Sequence, residues 1–305
     1  MPAKALRIIA ALSLWLPAAA IAAENDWSQV ADALGKAGTV MPGGVYRVGL
    51  PRTDLHVTLD GVEIKPTLAL GSWLAFEPMG NDAMVMGDLV LTESEINPVM
   101  KKLAEGGIEI TALHNHLLRA QPATFYMHVL GHGDPAKLAA ALHDGLVLSK
   151  TPLGNATAST SPQAAAVGSN QPARLDLDTA MIDQVLGAKG KAAGGVYQIG
   201  IPRAETIKDG GMEVPVAMGS AEAINFQPTG GGKAAITGDF VLTAKEVNPV
   251  LRALRENGIE ITAIHNHMLD DQPRLFFMHF WANDDAAKLA KGLREALDKV
   301  NLAKS

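Results

Sequence analysis

The sequence predicts an α+β protein made of two tandem homologous domains, each a mostly antiparallel sheet with helices packed on one face. Three observations lead there. Gly43-Gly44-Val45-Tyr46-Arg47-Val48-Gly49-Leu50-Pro51-Arg52 returns as Gly194-Gly195-Val196-Tyr197-Gln198-Ile199-Gly200-Ile201-Pro202-Arg203. Gly87-Asp88-Leu89-Val90-Leu91-Thr92 returns at Gly238–Thr243, and Ile108 to His116 returns at Ile259 to His267, all at one offset of 151 residues. A constant offset of that length is a duplicated domain and not a solenoid of short units. Within each copy, short β-rich runs are followed by helical patterns, with Gly and Pro turns between them. Finally, 48% of the 305 residues are hydrophobic and 19% charged, enough apolar material for packed, mostly aliphatic cores.

The first element is a helix in which Trp27, Val30, Ala31 and Leu34 share one face and Gly35 is the stop signal. Strands are expected at Val45 to Leu50, near His56-Val57-Thr58-Leu59, at Trp73 to Phe76 and at Ala83 to Leu91. Two signals compete for the start of the next helix. Thr92-x-x-Glu95 fits a capping box, whereas Asn97-Pro98 fits an N-cap with proline in the first turn, and the helix is placed from Asn97 through Ala104, ending at Gly106-Gly107. Ile108 to His116 and Phe125 to Leu130 are the last strands, and Asp134-Pro135 opens a closing helix. The domain boundaries follow as 1–23 for a signal peptide, 24–150 for the first repeat, 151–173 for a Pro-, Ser- and Ala-rich flexible linker and 174–305 for the second repeat. Each repeat carries a full set of elements and is expected to own a core.

The N-terminus combines Lys4 and Arg7 with an apolar run from Ile8 to Ala20 and small residues around Ala20-Ile21-Ala22-Ala23, which reads as a cleaved secretory signal. A periplasmic or secreted location is expected, with no stable membrane insertion after cleavage. The net charge of -6 and the lack of Lys/Arg clusters argue against nucleic-acid binding. With no cysteine, any metal is held by imidazole and oxygen.

Six of the nine histidines form two equal sets: His114, His116 and His128, and His265, His267 and His279. On a strand the two members of His-x-His share a face, and a hairpin centred near Ala120 to Pro122 brings His128 opposite His114 and Tyr126 opposite His116. Three imidazoles without thiolate suit a divalent transition metal; zinc is favoured, because three protein ligands plus an open position is its catalytic pattern. Glu95 and Glu246, and Asp88 and Asp239, are candidate fourth ligands or general bases, although helix capping and turn formation account for them first. Glu109 and Glu260 have the opposite strand parity and should point away. Arg52 and Arg203 are candidates for binding an anionic ligand. Neither a Gly-x-Ser-x-Gly elbow nor His-Glu-x-x-His is present.

Gly87 to Thr92, Asn97-Pro98-Val99, Gly107 to His116 and Met127-His128-x-x-Gly131-His132-Gly133-Asp134 together resemble the bacterial family named for the mycobacterial lipoproteins LppY and LpqO. The resemblance implies export and tandem architecture but no reaction, and this chain lacks a lipobox cysteine. Three functions follow as expectations: a metal-binding or metal-handling protein with one tri-histidine site per repeat, a metal-dependent hydrolase using an open site, and a non-metal module for a small envelope ligand or partner. A carboxylate beside the histidines would favour the hydrolase, and a closed, solvent-free cluster would favour the last.

Overall fold

A computed structural model describes residues 26–154 and 175–304. The expected signal segment and most of the expected linker lie outside the described residues.

The first half runs α1 (Ser28–Leu34), β1 (Thr39–Val40), β2 (Tyr46–Pro51), β3 (Val57–Leu59), β4 (Val62–Ile64), α2 (Pro66–Ala69), β5 (Gly71–Met79), β6 (Asp82–Thr92), α3 (Glu93–Glu105), β7 (Glu109–His114), β8 (Thr124–Gly133) and α4 (Pro135–Leu146). The second half repeats it as α5 (Thr179–Leu186), β9 (Lys191–Ala193), β10 (Val196–Pro202), β11 (Lys208–Asp209), β12 (Met212–Glu213), a 3-10 turn at Val216–Met218, β13 (Ala221–Gly230), β14 (Lys233–Thr243), α6 (Ala244–Glu256), β15 (Glu260–His265), β16 (Asp271–Gln272), β17 (Leu275–Asp285) and α7 (Ala286–Leu297). Each half builds a six-stranded antiparallel sheet, in the order β1-β2-β5-β6-β8-β7 and its counterpart β9-β10-β13-β14-β17-β15.

Strand alternation divides each sheet into two working faces. On β6, Ala83, Val85, Leu89 and Leu91 join Trp27, Leu34, Val99, Leu103, Leu138 and Leu142 in a core beneath α1, α3 and α4. The second half has the matching core under α5, α6 and α7. The opposite faces look at each other. Met84, Met86 and Leu130 pack with Val241, Met268 and Phe277, and Val90 and Tyr126 pack with Val196, Ala235 and Trp281. Each half therefore owns a core, and two further clusters belong to both.

The contacts between halves are reciprocal. Arg47 donates through Nη1 to the Ala217 carbonyl, while its counterpart Gln198 donates through Nε2 to the Thr67 carbonyl. Such exchange is the mark of an isologous, two-fold-like interface, here within one chain.

Two local expectations change. The capping box prevails over Asn97-Pro98, so α3 starts at Glu93 and carries Pro98 inside it. Thr92 and Glu95 satisfy two backbone N–H groups at once, which Asn97-Pro98 further on cannot match. The packed chain of the first half also continues past residue 150, because Thr151 is buried and Leu153 lies against the first core.

Candidate metal centre

The inner face of each sheet carries the histidines. His128 sits in the middle of β8, between Asp88 on β6 and Ala112 on β7. The expected hairpin register is off by two: His114 faces Tyr126, and His128 faces Ala112. The connection does not extend the hairpin, because Gln121 exchanges backbone hydrogen bonds of 2.8 and 2.9 Å with Thr58 on β3. His116 consequently leaves the strand and enters the site from the loop.

A bulge at Thr111 makes the arrangement work. Ile110 opposes Val129 on the helix side, but Ala112 opposes His128 on the inner side. One extra residue inverts the parity of everything after it. Without it, His114 would point into the apolar core. Thr262 does the same in the second half, between Ile261 and Ala263. The bulge also corrects the expectation for the glutamates, since Glu109 opposes Leu130 and shares the histidine face. Glu109 is exposed there, and Glu260 accepts from Arg119 Nη2 at 2.9 Å.

All six histidines meet in one cluster between the sheets. The ring centres of His114 and His265 are 3.5 Å apart, those of His116 and His279 3.6 Å, and those of His128 and His267 3.8 Å. Four sets of three side chains have ligand atoms within 4.8 Å of one another: His114, His116 and His279; His114, His128 and His265; His265, His267 and His279; and Asp88, His116 and His128. The two expected triads thus lie side by side in one cluster, and the one expected in the second repeat, His265, His267 and His279, is itself among the compact sets.

Asp88 and Asp239 are not turn residues. Each lies mid-strand, Asp88 buried and Asp239 partly buried, with Asp88 Oδ2 3.7 Å from His116 Nε2 and Asp239 Oδ2 3.4 Å from His267 Nε2. His279 gives Nδ1–H to the Gly238 carbonyl at 2.8 Å, and the Gly87 carbonyl acts on His128 from the matching position, favouring its protonated form. The first bond fixes the His279 tautomer and leaves its Nε2 with a free lone pair, as metal-bound histidines require. Glycine is needed at both carbonyls, because a Cβ on Gly87 would stand 2.7 Å from the Trp73 carbonyl oxygen and one on Gly238 would overlap that of Ala223.

Burial keeps the cluster neutral. It pushes the imidazole of His114 down to about 2, that of His128 to about 3 and that of His279 to about 4, with repulsion between rings adding to it at His114 and His128. His116, His265 and His267 are depressed further by the same causes. Burial raises the Asp88 carboxyl to about 8, opposed by Arg47, and lifts Asp239 well above its ordinary value, with Asp88 adding to the effect. Neutral imidazole is the ligand form, and a bound cation would hold both carboxyls ionised.

Eight ring nitrogens are buried without a hydrogen-bond partner: both of His114, both of His265, and Nε2 of His116, His128, His267 and His279. Asp88 Oδ1 and Asp239 Oδ1 are also unpartnered. Such groups ordinarily find partners, and each one left bare costs about 1–3 kcal/mol.

The remaining sequence candidates lie elsewhere. Glu95 and Glu246 close the capping boxes of α3 and α6. Arg52 donates to Glu95, Asp54 and the Val90 carbonyl, and Arg203 to Glu246, Glu205 and the Val241 carbonyl, so neither arginine is free for a ligand. Sequence reasoning passed over Arg47, which stacks 4.2 Å over Trp73 and favours the ionised form of Asp88 against the effect of burial. Its replacement by Gln198 in the second copy was the available signal. A groove of about 800 Å³ between Thr53–Pro66 and Gln227–Thr229 is lined by none of the six histidines.

The family model described as Domain of Unknown Function (DUF1259) matches residues 28–147 and again 180–299. No curated protein matches the chain. Among solved structures, a trimeric bacterial microcompartment shell protein, PduB, is similar at 13% identity over 88% of this chain and 95% of its own, with a TM-score of 0.20. EtuB from Clostridium kluyveri is similar at 7% identity over 86% of this chain and 88% of its own, with a TM-score of 0.19. Scores that low carry no argument about fold or function.

Proposed function

The chain belongs to the family described as Domain of Unknown Function (DUF1259), carried as two tandem copies, and from that premise we propose that it binds a divalent transition metal between those copies. The observation that carries the reading is the set of eight buried imidazole nitrogens without partners, beside a buried oxygen of each of two carboxyls. Six imidazoles and two carboxylates without sulfur suit zinc, with copper, nickel and iron as competitors. The site is closed, with the side chains of His116, His267 and His279 15%, 9% and 3% exposed, which alone would suit a non-metal module; the bare imidazole nitrogens outweigh it and favour a metal-binding or metal-handling role over an open catalytic site.

The resemblance to the LppY and LpqO family and the apolar N-terminal run support an exported protein, periplasmic or secreted. No helix among the described residues is long and apolar enough to cross a membrane.

Asp88 favours a second reading. A carboxyl within reach of His116 and His128 is placed to take a proton from a metal-bound water, as in metal-dependent hydrolysis. Elemental analysis of tag-free protein, as purified and after zinc loading and desalting, tests the first reading. Bound metal at neutral pH is expected; its absence leaves a non-metal module for an envelope ligand or partner. Turnover of an activated ester or phosphoester that is lost in Asp88→Asn, with metal retained, would establish the second.

A further inference from the structure

We propose that the two repeats hold two metal ions jointly, each ion taking histidines from both halves, so that neither repeat owns a complete site. This rests on the metal-binding reading above.

The closest imidazole pairs all cross the repeat boundary, at 3.5, 3.6 and 3.8 Å between ring centres. Pairs within a repeat lie at 5.0 Å for His114 and His116, 5.1 Å for His114 and His128, 4.9 Å for His265 and His267, and 4.8 Å for His265 and His279. The other crossed pairs, His114 with His279 and His128 with His265, lie at 5.4 and 5.6 Å, so the division rests on the 3.6 and 3.8 Å pairs, while His114 and His265 stack between the two ions. His114, His116 and His279 form one compact donor set. The reciprocal contacts between the halves map that set onto His265, His267 and His128, a looser set in which His128 and His267 are 3.8 Å apart between ring centres and His128 and His265 5.6 Å. Asp88 lies next to His116 of the first set and Asp239 next to His267 of the second, each a fourth donor.

A rival division keeps each ion inside one repeat, with Asp88, His116 and His128 on one side and His265, His267 and His279 on the other. It leaves His114 with both ring nitrogens buried and unpartnered. The crossed division uses all six histidines, three to each ion. It also explains why the bulge at Thr111 recurs at Thr262: both copies must turn their first histidine toward the other.

The two divisions separate cleanly in paired substitutions, read as zinc retained per chain after desalting. In the crossed arrangement His116 and His279 serve the same ion, so His116→Ala/His279→Ala keeps one zinc, whereas His116→Ala/His128→Ala keeps none. In the rival arrangement the outcomes are exchanged. That exchange, or equal zinc content in the two variants, overturns the proposal while leaving metal binding intact; wild-type protein without zinc overturns the metal-binding reading itself. Far-UV dichroism checks folding, and His→Gln pairs at the same positions replace any alanine pair that unfolds. A measurement on the unaltered chain stands beside these. At two equivalents of copper(II), a spin-coupled electron paramagnetic resonance spectrum with a half-field line is expected, and the spectrum of isolated copper at full loading refutes a shared centre.

Discussion

Arg52→Met removes the most heavily bonded side chain of the first half. Arg52 is fully buried; its Nη1 donates to Glu95 Oε2 at 2.9 Å and to the Val90 carbonyl at 2.6 Å, and its Nη2 to Glu95 Oε1 at 3.1 Å and to Asp54 Oδ2 at 2.9 Å. Methionine fills part of the volume but leaves the Glu95 carboxylate, 6% exposed, facing an apolar neighbour. Breaking a buried ion pair from one side costs about 3–5 kcal/mol, because the remaining charge loses its partner in a medium that cannot solvate it. Thr92 and Lys150 still donate backbone N–H groups to Glu95 at 2.8 Å each, which places the loss toward the lower figure. In Arg52→Met/Glu95→Leu no charge is stranded in the interior, since Asp54 is 22% exposed and reaches water, and the added cost is the capping box, about 1 kcal/mol. The double variant should therefore be no less stable than Arg52→Met. Urea unfolding of the metal-free chain followed by circular dichroism gives the differences, and zinc content should stay at the wild-type value in both. A loss below about 1 kcal/mol in Arg52→Met would refute the buried-pair account, and a fall in zinc content would return the arginine to the ligand site.

Chelator-treated protein should be most stable close to neutral pH. Below 6.5, the ordinary histidine value, the unfolded chain takes up protons at six imidazoles that the native cluster refuses, so stability falls as pH falls. Asp88 and Asp239 act the other way, since both keep a proton in the folded state that unfolding releases above 3.8, and for Asp88 this persists to about 8. Near pH 5 the balance is four protons in favour of the unfolded chain, or about 5 kcal/mol per pH unit as an upper figure. A urea midpoint that stays level from pH 6.5 to 5 would show that the imidazoles are solvated. Gly238→Ala should destabilise severely, because its Cβ would overlap the Ala223 carbonyl, whereas Gly49→Ala meets nothing within 4 Å and should be neutral or stabilising by up to about 1 kcal/mol. Equal melting temperatures for these two variants would contradict the packing described between β13 and β14.

The duplication, the strand and helix order and the identity of the six histidines were readable because each is a local pattern: an offset, a period, a cap. What was not readable turns on single residues that break a period or on the relation between copies. Thr111 is an ordinary β-branched residue in Glu109-Ile110-Thr111-Ala112, and nothing in that stretch announces a bulge; a strict period of two sends His114 to one side and Glu109 to the other. Asp88 follows a glycine, which reads as a turn, yet Gly87 is there because the strands leave no room for a Cβ. Arg52 and Glu95 are 43 residues apart, and only the fold shows that they belong to each other.

A single sheet can present histidines from one side only, and under the metal-binding reading proposed above that limit gives the second copy a purpose. His114, His128 and Asp88 project from the same face, so a metal resting on them would have donors beneath it and water above. A tetrahedral ion that excludes water needs donors on opposing sides. Lengthening the loop of one repeat could supply such a donor, but a loop is less well held than a strand. A second copy supplies it from an equally rigid sheet, and the apolar residues around the histidines, Met84, Met86, Tyr126 and Leu130 against Val241, Met268, Phe277 and Trp281, are buried by the same docking. The face that each repeat buries against the other is thus the face on which the proposed site would form, and the acidity of the solution and the fit between the halves act on it together.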